Sequence, residues 1–440
     1  MTISSSLSAG VAGLNANATR LAAISDNIAN SGTYGYKRVQ TEFASLVITG
    51  SSGSGSYSAG GVRASTTRLI DERGDLVGTS NALDLAIAGR GMLPVAQQVA
   101  LEDGNAPLLM TRTGSFRPDP DGVLKTDSGL VLMGWAANPD GTIPPAPRDS
   151  ISGMVPIVVN TNQMVANPTS QIGLGVNLPA TYTVAGSTAD VPPLSVEYFG
   201  NLGTSEALEV TFEPIVPATG ASNQWTMEIR DSASGGALIG EYTLTFDDTS
   251  GAGGTLASVA VVSGGAYDPV AGTVSLAVAG GPMTVTIGSP GGSSGSPGEP
   301  NGITQLSDTF VPLAITKNGS PVGTLTKVEI DQSGYVNATY DTGLTRRLYQ
   351  VPLVDVPNPN GLLSLNNQTY QVSPNSGAFL LWDAGSGPTG TIEGFSRESS
   401  KTDVAAELTN LIQTQRAYSS NAKVIQTVDE MLQETTNIKR

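Results

Sequence analysis

The sequence predicts an α+β multidomain protein, with a terminal α-helical coiled coil and antiparallel all-β domains looped out between the termini. All 27 prolines lie between Pro94 and Pro388. Proline disfavours helix interiors, so long helices are expected only at the two ends. Apolar residues at both ends follow a heptad-like spacing, whereas the middle shows period-two alternation. The length of 440 residues fits about two to four domains.

The N-terminal helix is predicted from alternating steps of four and three residues. A stripe with this spacing packs against another helix, as in a coiled coil. Ser25 is its one polar member. The predicted seam consists of Leu7, Val11, Leu14, Ala18, Leu21, Ser25 and Ile28.

The C-terminal helix is predicted from the same kind of spacing, and Thr402 and Asp403 are candidates for its N-cap. A single amphipathic helix cannot bury its apolar stripe alone. Two arrangements satisfy both stripes: an intramolecular hairpin, or pairing of the two ends followed by packing against neighbouring chains. We favour the second. The predicted C-terminal seam consists of Val404, Leu408, Leu411, Gln415, Tyr418, Ala422, Ile425, Asp429 and Leu432.

The middle of the chain is predicted to form antiparallel sandwiches or barrels, because strand-like segments follow one another without helical interruption. The Gly/Ser-rich segments 50–61 and 288–302 are predicted to be a flexible connector and a surface loop. The predicted strands include 83–87, 208–212, 242–246, 283–287 and 325–330.

Composition argues against catalysis. The chain has no His and no Cys, which excludes Ser–His–Asp triads, Cys–His pairs, thiolate zinc sites and disulfides. Carboxylate pairs such as Asp247 with Asp248, or Glu209 with Glu213, leave a hydrolase open by residue type alone. The Asp119–Gly122 segment lacks the later ligands of a calcium loop and is interpreted as a turn. We therefore expect no enzyme activity, no metal and no cofactor.

Charge predicts a separate acidic unit and argues against nucleic acid as a partner. The formal net charge is −16, and phosphate backbones repel such a surface. Between residues 151 and 316, Arg230 is the single base against 13 acids. No apolar run reaches the ~18 residues that predict a membrane span, so no membrane partner is expected. The N-terminus lacks the pattern of a cleaved secretory signal.

Residues 26–37 at one end of the chain, and residues 411–418 and 421–425 at the other, form two terminal blocks. Both blocks resemble the bacterial flagellar axial proteins, the family of rod and hook subunits. Segments 83–91 and 111–116 match further blocks of that family, in the same order along the chain. The family-motif residues are Asn27, Asn30, Thr33, Gly35, Tyr36 and Lys37 in the N-terminal block, and Gln415, Arg416 and Asn421 in the C-terminal block.

The resemblance implies a structural subunit of the flagellar hook, because the acidic insertion is longer than distal rod subunits carry. Such a subunit would polymerise into a helical tube that acts as a bendable universal joint, transmitting motor torque from rod to filament. Its implied partners are further copies of itself, the flagellar rod, the hook cap, the hook–filament junction proteins and the type III flagellar export apparatus. The implied location is extracellular, in the hook, after export without a cleaved signal peptide.

Four domains are expected under this resemblance, and the assembly interface is expected on the terminal helices. A long distal rod subunit and a secreted β-rich adhesin or surface-layer protein remain alternatives. The expected domains are residues 1–33 with 400–440 (helical coiled coil), 34–75 (connector), 76–150 with 317–399 (inner β domain) and 151–316 (outer acidic β domain). The expected interface residues are Leu7, Val11, Leu14, Leu21, Ile28, Val404, Leu408, Leu411, Tyr418, Ile425 and Leu432.

Overall fold

The computed structural model describes residues 3–46, 60–102, 107–160, 164–292 and 302–438. Most of the two Gly/Ser-rich segments, 50–61 and 288–302, lies outside these ranges. The chain divides into two compact units. The first comprises residues 1–161, 327–339 and 345–440, and the second comprises 162–326 with 340–344. The second unit thus starts and ends about ten residues later than the expected acidic domain, and it also takes in a short later segment.

Both predicted terminal helices are present, and both belong to the first unit. Asp403 caps the C-terminal one, because its Oδ1 accepts hydrogen bonds from the backbone N–H groups of Ala405 and Ala406. None of the described helices combines the length and the apolar character that crossing a membrane requires. The helices are α1 (Ile3–Ala29), α2 (Gln98–Glu102) and α3 (Val404–Ile438).

The first part of the chain supplies eleven strands to the first unit within the described residues. β1 and β2 form an antiparallel hairpin. The predicted turn at Asp119 is confirmed, because Asp119 Oδ1 accepts from the N–H groups of Asp121 and Val123. These strands are β1 (Val39–Ser45), β2 (Val62–Arg68), β3 (Leu76–Gly78), β4 (Asp84–Ala88), β5 (Leu93–Gln97), β6 (Leu109–Thr111), β7 (Thr113–Ser115), β8 (Arg117–Pro118), β9 (Leu124–Lys125), β10 (Leu130–Ala136) and β11 (Met154–Pro156).

The second unit contains a sandwich of two sheets around one apolar core, together with a separate antiparallel pair of short strands. Within the described residues its strands are β12 (Val165–Asn167), β13 (Gln171–Leu178), β14 (Leu194–Phe199), β15 (Ser205–Pro214), β16 (Gln224–Asp231), β17 (Ala237–Phe246), β18 (Leu256–Ser263), β19 (Tyr267–Asp268), β20 (Thr273–Val278), β21 (Gly281–Thr286), β22 (Thr304–Gln305), β23 (Val311–Lys317) and β24 (Ser320–Gly323).

One sheet of this sandwich has the order β14-β15-β16-β17-β18, and the other has β19-β20-β21-β13-β22 with β23 on the far side of β13. Period-two alternation is confirmed on β15, where Leu208, Val210 and Phe212 are buried. Trp225 and Tyr242 lie fully buried in the core. Within the described residues the fold departs from the predicted all-antiparallel pairing at β13, which runs parallel to β21 and β22.

The chain then returns to complete the first unit. Its main sheet has the order β25-β26-β27-β10-β5-β6-β30-β29, with β8, β9 and β11 attached at the side. The sequence of β4 predicts alternating burial, but the strand is buried on both faces. Its polar residue Asp84 can be buried because Ser115 and Asn81 donate hydrogen bonds to its carboxylate. The returning strands are β25 (Leu325–Ile330), β26 (Tyr335–Tyr340), β27 (Thr345–Gln350), β28 (Leu353–Asp355), β29 (Leu363–Ser364), β30 (Tyr370–Gln371), β31 (Leu380–Trp382), β32 (Thr391–Glu393) and β33 (Ser396–Glu398).

Candidate assembly interface

The helices α1 and α3 pack against each other in antiparallel orientation within one chain. A Cβ atom built at Gly10 would lie 3.1 Å from Ile425 Cγ1, and one built at Gly13 would lie 2.9 Å from Asn421 Nδ2. At the other end of the pair, Asn27 Nδ2 donates to an oxygen of the Glu407 carboxylate over 3.0 Å. The absence of side chains at the two glycines leaves room for the Ile425 and Asn421 side chains against the backbone of α1.

The face of α1 that meets α3 is not the predicted seam. Gly10 and Gly13 are buried on this face, and so are Asn17, Ile24 and Asn27. The Asn17 amide is satisfied locally, since its Nδ2 donates to the Gly13 carbonyl over 2.8 Å. The predicted seam lies on the flank, where Val11 is 44% exposed. The other seam positions named as interface residues are half-buried: Leu7, Leu14, Leu21 and Ile28.

The same shift occurs on α3. Its buried positions include Glu407, Thr414 and Val428, whose spacing defines the side facing α1. Leu411 and Ile425 lie on that side by the same spacing and are half-buried. The remaining expected interface residues of α3 are exposed: Val404 (39%), Leu408 (46%), Tyr418 (42%) and Leu432 (39%).

The hairpin of β1 and β2 covers another side of α1. A Cβ atom built at Gly61 would lie 3.1 Å from Ala12 Cβ, and the Arg20 guanidinium lies 5.9 Å from the centre of the Phe43 ring. α1 is therefore held from two sides, whereas α3 contacts α1 on one side and leaves most of its circumference to solvent.

The N-terminal motif residues form a network at the end of α1. Asn27 Oδ1 accepts from the Val39 N–H at 2.8 Å and from the Tyr36 hydroxyl at 3.0 Å, and its Nδ2 also donates to the Val39 carbonyl. The Tyr36 hydroxyl has one proton and shares it between Asn27 Oδ1 and Asp26 Oδ2, which lies 2.9 Å away. Burial, followed by the hydrogen bond to Asp26, raises the pKa of Tyr36 to about 12. The network satisfies every polar group of the buried Asn27 amide.

Three further motif residues shape the turn that follows α1. Asn30 Nδ2 donates to the Asp26 carbonyl, and the Thr33 hydroxyl donates to Asn30 Oδ1. Gly35 has φ +72°, and a Cβ atom there would lie 2.9 Å from Thr113 Cγ2. A side chain is therefore disfavoured at this position by both conformation and space.

Lys37, the last motif residue, belongs to a buried cluster of three charges. Its Nζ lies 2.5 Å from Glu398 Oε1, and Arg112 Nε donates to Glu398 Oε2 over 3.0 Å. The Gly74 N–H also donates to Glu398. Arg112 donates in addition to the carbonyls of Gly89 and Gly91. Each charge is compensated by ion pairs and directed hydrogen bonds, as buried charges require.

The C-terminal motif residues differ in their surroundings. Asn421 lies between the helices beside Gly13, whereas Gln415 and Arg416 are exposed. Sequence reasoning did not single out Glu398 or Glu407, and it named Arg112 only within the block 111–116. No periodic pattern marks these residues.

Two segments of the chain match known family profiles, and the hydrogen bonds and ion pairs described above connect these two segments. The profile described as "Flagella basal body rod protein" matches residues 7–37. The profile described as "Flagellar basal body rod FlgEFG protein C-terminal" matches residues 393–438. Asn27 and Lys37 lie in the first segment, and their partners Glu407 and Glu398 lie in the second.

Proteins similar to this chain over its whole length are flagellar hook proteins. The flagellar hook protein FlgE of Rhizobium meliloti is 32% identical over 100% of both chains. The one from Escherichia coli K12 is 30% identical and covers 98% of this chain and 99% of its own. A crystal structure of the Helicobacter pylori hook protein FlgE2 covers 72% of this chain and 99% of its own, with 13% identity and a TM-score of 0.46.

Proposed function

The chain belongs to the flagellar hook protein family and is a structural subunit of the hook, and we propose that its paired terminal helices form the contact between copies. Members of this family polymerise with themselves in the hook. Such a tube is built by a heterologous contact, in which one surface of a copy binds a different surface of the next.

The observation that carries the proposal is the apolar surface that α3 leaves uncovered. Val404, Leu408 and Ile412 recur at steps of four residues and form one exposed apolar stripe, whereas Val424 and Met431 lie on another side of the helix. An exposed apolar stripe of this kind marks a binding surface. Full burial of one large apolar side chain stabilises a contact by roughly 1.5–3 kcal/mol, so partial burial of several is sufficient to hold a repeating interface. The exposed side chains are Val404, Leu408, Ile412, Tyr418, Val424, Met431 and Leu432, each between 39% and 53% exposed.

α1 contributes its uncovered flank to the same contact. Val11 is the most exposed member of the predicted seam, and Leu7 and Leu14 continue the stripe along the helix while half-buried. Since α3 occupies a neighbouring face of α1 and not this one, the stripe is available to a second copy. The residues expected from the sequence as the assembly interface are therefore the ones we propose for it, with Leu411 and Ile425 acting from within the helix pair.

We also propose that the assembled tube is a bendable joint that transmits torque from the rod to the filament. The resemblance in the terminal motifs supports the rod, hook cap, hook–filament junction and export apparatus as its partners, and export without a cleaved signal. The distal rod alternative is disfavoured, because the full-length relatives are hook proteins. An adhesin has no need for two helices with uncovered apolar stripes.

The test is assembly of purified chains followed by sedimentation. The Leu408→Asp/Tyr418→Asp double variant is expected to stay monomeric, with the thermal transition of the wild type, because both positions are exposed in the single chain. A loss of ~1.4 kcal/mol per contact raises the critical concentration tenfold. The Leu408→Met/Tyr418→Phe variant keeps the apolar surface and is expected to polymerise. Wild-type polymerisation of the aspartate variant contradicts the proposal.

A further inference from the structure

The side of α3 that faces away from α1 carries charges of opposite sign in its two halves. Thr414 faces α1, and Arg416 follows two positions later, roughly 200° around the helix. Spacings of three, four and seven residues continue this outward stripe to the end of the described helix. It consists of Ile412, Arg416, Ser419, Lys423, Glu430 and Glu434. The first charged pair is cationic and the second is anionic.

These four charges have no partner within the part of the chain that the structure describes. Neither Arg416 nor Lys423 forms an ion pair or a side-chain hydrogen bond there, and the same holds for Glu430 and Glu434. The helix sequence explains this, since α3 has no acidic residue between Glu407 and Asp429. The neighbouring α1 also offers little, because it carries Arg20 as its one base and Asp26 as its one acid.

The two cations border a shallow groove on α3. Its other lining residues are Ile412, Gln415, Ser419 and Ser420. Ile412 is 51% exposed, and the two serines leave room beside the helix. The groove therefore combines an apolar edge, small side chains and two positive charges, which suits a helix surface that presents carboxylates.

We propose that this groove binds the acidic end of α3 from a second copy of the chain, so that Arg416 and Lys423 pair with that copy's carboxylates at positions 430 and 434. The inference rests on the proposed function and names the partner of its helix surface. Pairing 416 with 430 and 423 with 434 requires two parallel helices with one axial shift between 11 and 14 residues. At ~1.5 Å per residue this is an axial offset of roughly 16–21 Å.

The offset is the functional consequence of the pairing. A contact that joins the N-terminal half of one stripe to the C-terminal half of another leaves one half free at each end, so it propagates without closing. Exposed ion pairs add little affinity, but they fix register and exclude wrong pairings. The apolar side chains hold the copies together, and the charges set the step by which each copy is displaced.

Charge reversal tests the pairing. The cation-reversed variant is Arg416→Glu/Lys423→Glu, and the acid-reversed variant is Glu430→Lys/Glu434→Lys. Each variant alone places like charges against each other, and its critical concentration is expected to rise at least tenfold. An equimolar mixture is expected to polymerise near the wild-type concentration, because every contact between unlike variants is again complementary. The chain with all four substitutions is expected to do the same.

Lys401→Glu/Arg117→Glu is the matched control, since it makes the same change in net charge at exposed positions outside the stripe. It is expected to polymerise like the wild type. The inference is overturned if either reversed variant polymerises like the wild type, or if neither the mixture nor the fourfold variant recovers. A wild-type chain that stops at closed dimers overturns it too, because antiparallel pairing of the same stripes closes. If reversed variants polymerise normally while Leu408→Asp/Tyr418→Asp does not, the proposed function stands and this pairing fails.

Discussion

Lys37 Nζ lies 2.5 Å from Glu398 Oε1, with both side chains 1% exposed, and this ion pair joins the segment after α1 to the segment before α3. Arg112, from the middle of the sequence, occupies the other carboxylate oxygen. A single carboxylate therefore compensates two buried cations. The cluster connects the segments next to the terminal helices to the β-sheets of the first unit. Loss of the Glu398 carboxylate would destabilise this connection, because an uncompensated buried charge is costly.

The Glu398→Gln substitution is expected to lower the free energy of unfolding of the first unit by about 3–5 kcal/mol, since it leaves Lys37 and Arg112 buried without a counter-charge. Urea denaturation of the monomer measures the change. Glu72→Gln is the matched control, because it breaks an ion pair with Arg38 in which both side chains are about one-third exposed. Such a pair contributes at most about 1 kcal/mol. Equal losses in the two variants contradict the assigned role of the cluster.

Acid sensitivity is the second expectation from Glu398. Burial by itself would raise the pKa of this carboxyl, but the charges of Arg112 and Lys37 outweigh it and hold the pKa below the ordinary 4.5. A depressed carboxyl pKa stabilises the folded state above 4.5, and this contribution disappears as the pH falls through the folded-state value. The stability difference between wild type and Glu398→Gln is thus expected to be constant near neutral pH and to shrink in acid. Urea titrations at a series of pH values measure it, and a difference that grows in acid contradicts the assignment.

The elements that sequence predicts well here are those with a strong hydrophobic period. Both terminal helices and strands such as Leu208–Phe212 follow from spacing alone, because buried faces repeat every 3.6 or 2 residues. The face of α1 that contacts α3 could not be predicted from spacing, because Gly10 and Gly13 have no apolar side chain that would mark it. Their contribution is the room that they leave for the Ile425 and Asn421 side chains of α3, which only a structure reveals. The apolar seam that spacing identifies lies beside the contact face on α1, whereas Leu411 and Ile425 of the α3 seam lie on the side facing α1.

The buried charge cluster was beyond sequence reasoning for a different reason. Arg112 and Glu398 are 286 residues apart, and each resembles an ordinary surface charge when the sequence is read locally. Their burial depends on strand pairing around them. The family resemblance identified Lys37 as a motif residue, but it did not indicate that Glu398 is its ion-pair partner.

Gly13 tests whether close approach holds the helix pair together. Gly13→Leu is expected to force α3 away from α1, because the Cβ atom alone displaces the Asn421 side chain, whose Nδ2 would lie 2.9 Å away, and the rest of the leucine has to fit between the two helices. Overpacking of this kind costs about 1–3 kcal/mol. Amide hydrogen exchange along α3 of the monomer is expected to accelerate. Val11→Leu is the control on the same helix, as that side chain is 44% exposed, and its exchange is expected to be unchanged. Wild-type protection in Gly13→Leu contradicts the observed contact face.

Removing the second unit tests whether assembly depends on the helices alone. Val165 and Gly323 are opposite each other in the antiparallel pair of β12 and β24, so the chain enters and leaves this unit side by side. A two-residue Asn-Gly turn suits the connection of two antiparallel strands. Replacing residues 166–322 by that turn is expected to leave the thermal transition of the first unit intact and to allow polymerisation, since α1 and α3 belong to the first unit.

Electron microscopy is expected to show tubes that are straighter than those of the full chain, because an acidic unit that repels its copies is gone. A folded deletion variant that forms no tubes means that the second unit supplies an essential contact, and the helices then cannot be the sole interface.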